Sequence, residues 1–297
     1  MRNDFCAFIL SHGRANNIKT LKALQKGHYT GRWYIVIDNE DDQEEEYRKR
    51  YPGHVLQFDK LAVSKTFDTA DTEENRRTIV YARNACFDLA REVGCKYFLE
   101  LDDDYNVFEH KVSIGGKLKG IPCTDLDRLF TAMVEYLESS GAVTIAFAQG
   151  GDFIGGKDGT AAKKALLRKA MNTFFCSVDR PFQFVGRINE DVNTYTRMGQ
   201  TGKLVLTITD VSITQTTTQK NAGGMSGVYI DGGTYFKSFY SILFSPSCVT
   251  INAMGDTHKR IHHNVHWRYC AAQILNERYK KGGSPCPVAH TPTASPI

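Results

Sequence analysis

Short apolar runs that stop abruptly at polar residues set the pattern of this chain. Phe5 to Leu10 is the first, closed by Ser11-His12-Gly13-Arg14. Trp33 to Ile37 is the second, closed by Asp38-Asn39-Glu40, and Val55 to Phe58 is the third. Between them lie helical patterns, with Ile18, Leu21 and Leu24 on one face and then roughly Gln43 to Tyr51. Ile79, Ala82, Cys86, Leu89 and Val93 recur at helical spacing and predict a packed face, with Arg83 and Asn84 interrupting that helix near its start. A fourth run, Tyr97-Phe98-Leu99 with Leu101, ends in Asp102-Asp103-Asp104. Strands alternating with helices predict a parallel sheet with crossover helices. In such sheets ligands bind beyond the carboxyl ends of the strands, where Ser11 to Arg14, Asp38 and Asp102 to Asp104 all fall.

The second half is patterned less regularly. A Gly- and Lys-rich loop is expected at Lys111 to Gly120, then a helix capped by Thr124 with Leu126, Leu129, Met133, Val134 and Leu137 in the core. Ala142 to Ala148 reads as a strand ending in the glycine-rich stretch from Gln149 to Gly156. Phe174 to Val178 and Phe182 to Val185 read as strands, leading to Glu190-Asp191 at a strand-to-helix junction. Thr-rich alternation over 203 to 218 predicts strands, followed by a polar loop at Asn221 to Gly227, a helix over Tyr235 to Leu243 and a late strand over Cys248 to Asn252. The stretch from Gly282 to Ile297 reads as a disordered tail.

Composition changes this picture little. The 297 residues are 41% hydrophobic and 24% charged, which is ordinary for a globular chain and leaves material for a sizeable core. The net charge of +4 allows a polyanionic partner without requiring one. No stretch is apolar enough to span a bilayer, and the start of the chain lacks a signal-peptide pattern. Eight cysteines lack CxxC spacing, and Cys6, Cys86 and Cys176 sit in apolar runs. They read as small buried hydrophobes in a reducing, cytoplasmic compartment.

Chemistry is concentrated at a few points. Three consecutive carboxylates repel one another unless a cation sits among them, so Asp102 to Asp104 reads as a Mg²⁺ and nucleotide-diphosphate site, with a solvated acidic turn as the alternative. Arg83 either solvates a helix or aims its guanidinium at phosphate or at the acidic motif. Gly150-Gly151-Asp152 permits close backbone approach to a ligand, and the basic stretch with Lys157, Lys163, Lys164, Arg168 and Lys169 either solvates a face or meets nucleic-acid phosphates. Glu190-Asp191 either caps a helix or supplies a general base. His258, His262, His263 and His266 lie within nine positions, and one imidazole could complete a cation's coordination.

With these pieces in order, the sequence resembles a metal-dependent GT-A glycosyltransferase from Phe5 to about Tyr279. More closely, it is similar to the TET-associated glycosyltransferases of bacteriophages. The stretches that carry this are Ile35 to Asp41, Lys65 to Asp71, Arg77 to Ala85 and Ile261-His262-His263, together with the acidic triplet. The resemblance implies a Rossmann-like, mainly parallel α/β sheet flanked by helices, with a smaller C-terminal acceptor-side region. It implies one domain over 1–281, with a nucleotide-sugar half (1–105) and an acceptor and catalytic half (106–281). It implies a UDP-sugar donor, Mn²⁺ or Mg²⁺, and 5-hydroxymethylcytosine in DNA as acceptor, in the cytoplasm of an infected host. Asp102 and Asp104 would face the metal and the donor, with His262 or His263 as the C-terminal ligand. Ser11, His12, Gly13, Arg14 and Asp38 would line the nucleoside pocket, with Arg83, Asn84 and Asp103 beside them. Asp191, next to Glu190, would be the base of an inverting transfer, and Gly150, Gly151, Asp152, Lys163 and Lys164 would meet the acceptor. A cytoplasmic glycan or protein glycosyltransferase and a nucleotidyltransferase remain alternatives.

Overall fold

The structure, a computed structural model, describes residues 1–71, 76, 78–159, 163, 166–215, 236–254 and 260–270. Its first half follows the expected alternation: β1 (Phe5–Leu10), α1 (Lys19–Lys26), β2 (Arg32–Asp38), α2 (Glu44–Arg50) and β3 (Val55–Phe58). A short α3 (Lys60–Ser64) precedes α4 (Val80–Glu92) and β4 (Tyr97–Asp102). Although only seven residues long, α2 has charges that suit its ends: Glu44 to Glu46 in the first turn and Arg48 to Arg50 in the last. They oppose the backbone dipole, and Arg48 Nε pairs with Glu44 at 2.8 Å one turn away.

Then come β5 (Tyr105–Ile114), β6 (Lys117–Pro122), α5 (Leu126–Ser140), β7 (Thr144–Gln149), a two-residue β8 (Leu166–Leu167) and β9 (Thr173–Ser177). After α6 (Glu190–Gln200) and β10 (Val205–Gln215), a helix at Phe236–Phe244 leads to β11 (Val249–Met254) and β12 (Arg260–Val265), and a helical turn at Trp267–Cys270 follows. The main sheet runs in the order β3-β2-β1-β4-β9-β7-β10-β5-β6, with β8 on β10. The four strands β3 to β4 are mutually parallel, as expected. Beyond β4 the sheet turns mixed, because β9 runs antiparallel to both β4 and β7. The smaller C-terminal region is the separate β11–β12 pair.

Strand alternation divides the core into two layers. On β1, Phe5, Ala7 and Ile9 face α1, α2 and α5, whereas Cys6, Phe8 and Leu10 face α4 and α6. On the first side Phe130 of α5 packs against Phe108, Phe147 and Phe175 with ring centroids 5.7–6.1 Å apart. Each such buried ring contributes about 1.5–3 kcal/mol relative to exposure. The same alternation places Phe98, Glu100 and Asp102 of β4 on the α4 side. An acidic pair therefore enters a hydrophobic layer, which requires a cation from the facing helix.

Several expectations change. Lys111 to Gly120 is a β-hairpin, because Gly115 and Gly116 (φ +59° and +74°) close a tight turn between two pairing strands. The cap of α5 is Asp125, not Thr124, since its carboxylate accepts the Arg128 amide at 3.0 Å. Phe182 to Val185 forms no strand: Phe182, Phe184 and Val185 are buried, but Asn84 takes the Phe184 backbone. Residues 205–215 make one bulged strand, and the predicted extension to 218 lies outside the described residues, as do Asn221 to Gly227, His258, Lys164 and the tail. On α4 the buried residues are Val80, Tyr81, Arg83, Ala85, Cys86, Phe87, Leu89 and Ala90, so the packed face is broader than the predicted one. The seven described cysteines are free and buried. No helix among the described residues is long and apolar enough to cross a membrane.

Gly186 ties the segment before α6 to the loop after α3. Its amide donates to the Asp68 carbonyl at 2.8 Å, and its φ of +81° suits glycine. A Cβ there would lie 2.2 Å from Asn193 Nδ2 and 2.7 Å from the Phe244 ring. Gly186→Ala is expected to cost about 1–3 kcal/mol from backbone strain and overpacking, read as a lowered urea midpoint with an unchanged slope.

Candidate active site at the carboxyl edge of the sheet

The sheet order 3-2-1-4 makes the crevice between β1 and β4 the point where the chain switches direction across the sheet. Ligands of open α/β sheets bind at such points. Leu10 lies opposite Asp102 in the register, so the polar residues that end the two strands emerge side by side.

On the β1 side these residues are already bonded to one another. Ser11 Oγ donates to Asp103 at 2.6 Å, and Arg14 Nη1 reaches the other oxygen of that carboxylate at 2.7 Å. Tyr47 of α2 closes the group, with its hydroxyl 2.8 Å from Ser11 Oγ and accepting the Arg14 amide at 2.9 Å. Gly13, at φ +66°, turns its amide onto Asp41 at 2.8 Å. His12 Nδ1 lies 2.9 Å from Asp38, and buried Lys60 Nζ lies 3.1 Å from the same oxygen. Burial pushes the Asp38 carboxyl up, but His12 and Lys60 outweigh it and hold it below the usual range. The hydrogen bond to Asp38 raises His12.

On the β4 side the organising group is Arg83, whose side chain is 2% exposed. Its Nη2 lies 3.1 Å from Asp102, its Nε 3.1 Å from Glu190, and its Nη1 3.5 Å from Glu100. The guanidinium lies over the Phe174 ring at 4.7 Å. Three carboxylates from β4 and α6 thus share one cation in a desolvated pocket. The one charge is not enough for all three. Burial pushes Glu100 up to about 8, and burial with the neighbouring carboxylates pushes Asp102 up to about 7. Burial and Asp103 also raise Asp104.

Glu190 and Asp191 form the first turn of α6, after Asn189 in the left-handed conformation (φ +62°). Asp191 is buried, with one oxygen accepting the Val192 amide at 2.7 Å. Burial and Glu190 push it up to about 7. Asn189 ties this turn to the C-terminal region, donating to Ser241 Oγ at 2.5 Å and lying 3.3 Å from His263 Nδ1. Burial and His262 hold His263 down at about 4, so its imidazole is neutral.

The TET-Associated Glycosyltransferase family profile matches residues 5–224. The chain belongs to the TET-associated glycosyltransferase family. It is therefore an enzyme of the glycosyltransferase type, which sets aside the nucleotidyltransferase alternative. A comparison with curated proteins finds no match. Among solved structures, a mycobacterial protein is similar with a TM-score of 0.46 and 7% identity, over 89% of this chain and 84% of that one. A CMP:2-keto-3-deoxy-manno-octonic acid synthetase complexed with CTP is similar at TM-score 0.27 and 7% identity, over 49% of this chain and 52% of the other. Similarity at these scores says nothing of chemistry.

In this glycosyltransferase the expected site residues separate into groups. Ser11, His12, Gly13, Arg14, Asp38 and Asp103 come together at the crevice. Arg83 does not reach outward to a phosphate, because three carboxylates and two rings enclose it; of its sequence readings, the acidic motif is the one it meets. Asn84 bonds the Phe184 backbone with both ends of its amide, at 3.0 and 2.8 Å, and so holds that segment. Among the described residues no three His, Cys, Asp or Glu side chains gather as a metal cage, so His262 and His263 do not join Asp102 and Asp104 there. Gly150, Gly151 and Asp152 form a 3₁₀ turn after β7, where a Cβ on either glycine would meet nothing within 4 Å. Asp152 pairs with Lys169, and Lys163 is exposed. Sequence reasoning missed Glu100, Asp41, Tyr47 and Lys60. Period-2 alternation from Asp102 was the available signal for Glu100, whereas the other three are placed by packing.

Arg83→Met is expected to strand buried carboxylates and to cost about 3–5 kcal/mol of unfolding free energy. Arg83→Lys should recover little of this, since a single ammonium cannot bridge three carboxylates as a planar fork does. Urea unfolding of the three proteins at neutral pH checks both.

Proposed function

We propose that this glycosyltransferase moves a sugar from a nucleotide sugar, a UDP-sugar, to the hydroxymethyl oxygen of 5-hydroxymethylcytosine in DNA, with inversion at the anomeric carbon. One observation carries the reading: Asp102 from the strand end and Glu190 from the helix start meet on the same buried guanidinium, at 3.1 Å each. Asp191 follows Glu190 in the same first turn of α6, which supports it as the base. The TET association in the family's description points to 5-hydroxymethylcytosine as the acceptor.

In this reading Ser11 to Arg14, with Asp38 and Asp41 behind them, bind and orient the nucleoside. Asp102 and Asp104 are the residues that would hold Mn²⁺ or Mg²⁺, which when bound neutralises charge on the departing diphosphate. Their raised carboxyls fit a cation, and two carboxylates with donor phosphates meet the usual Mg²⁺ preference. The acceptor oxygen forms its bond to the anomeric carbon as the bond to the diphosphate breaks and the diphosphate leaves with the electron pair. Asp191 takes the hydroxyl proton, and a carboxyl poised near 7 suits a base working at neutral pH. In a duplex that hydroxyl lies in the major groove against the base stack, so the base is flipped out to bring it to the strand edge, at a cost of a few kcal/mol.

Incubating the protein with hydroxymethylated DNA and a panel of nucleotide sugars, then weighing the released nucleosides, tests the function. A hexose mass added to hydroxymethylcytosine is expected; transfer to a glycan or peptide and never to such DNA overturns the acceptor.

Asp191→Asn is expected to lower transfer by about 10²–10⁴-fold while leaving donor binding intact. A base must be ionised to act. Wild-type kcat/KM should therefore climb about tenfold per pH unit below about 7 and level off above it, and Asp191→Asn should lose that limb.

A further inference from the structure

The hairpin β5–β6 carries a face that the site above does not use. Its register pairs Ile114 with Lys117, Val112 with Lys119 and His110 with Ile121, which places these six on one face. His110, Lys117 and Lys119 are exposed, and Ile114 and Ile121 are 46% and 44% exposed. The opposite face is partly covered: Lys111 lies over the Phe153 ring at 5.1 Å, and Lys157 Nζ lies near the turn at Gly116. β6 ends the sheet. Among the described residues no carboxylate holds Lys117 or Lys119.

Charge is concentrated on this wing. Residues 105–122 and the described residues of 150–169 hold seven Lys or Arg against three Asp or Glu. That surplus equals the whole chain's net charge of +4, so the remainder of the chain is balanced. Lysines alone could guard an edge strand against self-pairing. Two exposed isoleucines on the same face would defeat that purpose, whereas a basic and apolar ribbon matches a surface with phosphates outside and base edges inside. A two-stranded ribbon fits the major groove, the groove that carries the C5 substituents of pyrimidines. β5 begins directly after Asp104, so a duplex on the ribbon leads to the acidic strand end.

We propose that the exposed face of the β5–β6 ribbon docks duplex DNA in its major groove, with Lys117 and Lys119 on the phosphates and Ile114 and Ile121 against base edges. This rests on the DNA-acceptor reading above and adds the surface that holds the acceptor.

Fluorescence anisotropy of a labelled duplex containing 5-hydroxymethylcytosine, measured across a salt series, tests it. Lys117→Glu/Lys119→Glu is expected to lose about tenfold or more in affinity at low salt. Its log–log salt slope should flatten by about 2, at about 0.9 per phosphate contact. Lys117→Gln/Lys119→Gln should flatten the slope equally without added repulsion, and unchanged melting midpoints show that both variants are folded. If wild type modifies this DNA and both variants keep its affinity and slope, the ribbon is excluded while the acceptor stands. If the variants self-associate and bind DNA as before, the lysines guard an edge and the proposal falls. If wild type neither binds nor modifies the duplex, both readings fall.

Discussion

The β4 side of the carboxyl edge depends on one buried guanidinium. Arg83 is inside a layer of aromatic and aliphatic side chains because β4 turns Glu100 and Asp102 into that layer. A carboxylate pair in such a place needs a cation, and Arg can serve several acceptors in one plane. The third acceptor, Glu190, begins α6. Removing the cation would leave an uncompensated acidic pocket, whereas keeping it locks a strand end and a helix start together.

That lock is also under-neutralised. Three carboxylates face one guanidinium; burial raises Glu100 and Asp102 in spite of it, and burial with Glu190 raises the neighbouring Asp191. The β1 side is arranged differently: Asp103 is matched by Ser11 and Arg14, and Asp38 by His12 and Lys60. One side of the crevice is thus internally satisfied and the other is left with excess negative charge. This asymmetry suits a site in which nucleoside recognition and leaving-group chemistry are separate tasks. The C-terminal elements support it from behind, since Asn189 connects the α6 start to Ser241 and His263.

Local pattern was most legible where it was strongest. Phe5 to Leu10 and Val55 to Phe58 form strands with the predicted ends, because an apolar run bounded by polar residues has few alternatives. Lys111 to Gly120 looked like a loop because glycine and lysine have poor strand propensity; the pairing of β5 with β6 overrides propensity there. Phe182 to Val185 looked like a strand because it is apolar, yet its backbone bonds go to Asn84 and Thr194 instead of a ladder.

The sequence by itself determined the α/β alternation, the polar residues that end each early strand, and the acidic motif, since these follow from periodicity and composition within short windows. It also contained the family's motifs in order. Only the tertiary structure decided what Arg83 does, that Glu100 belongs with Asp102, and that Glu190 lies against the strand end 88 positions earlier. The reason is physical: whether a charged side chain turns to solvent or into a core depends on which helix layer covers the strand, and that is decided by contacts between residues far apart in the chain.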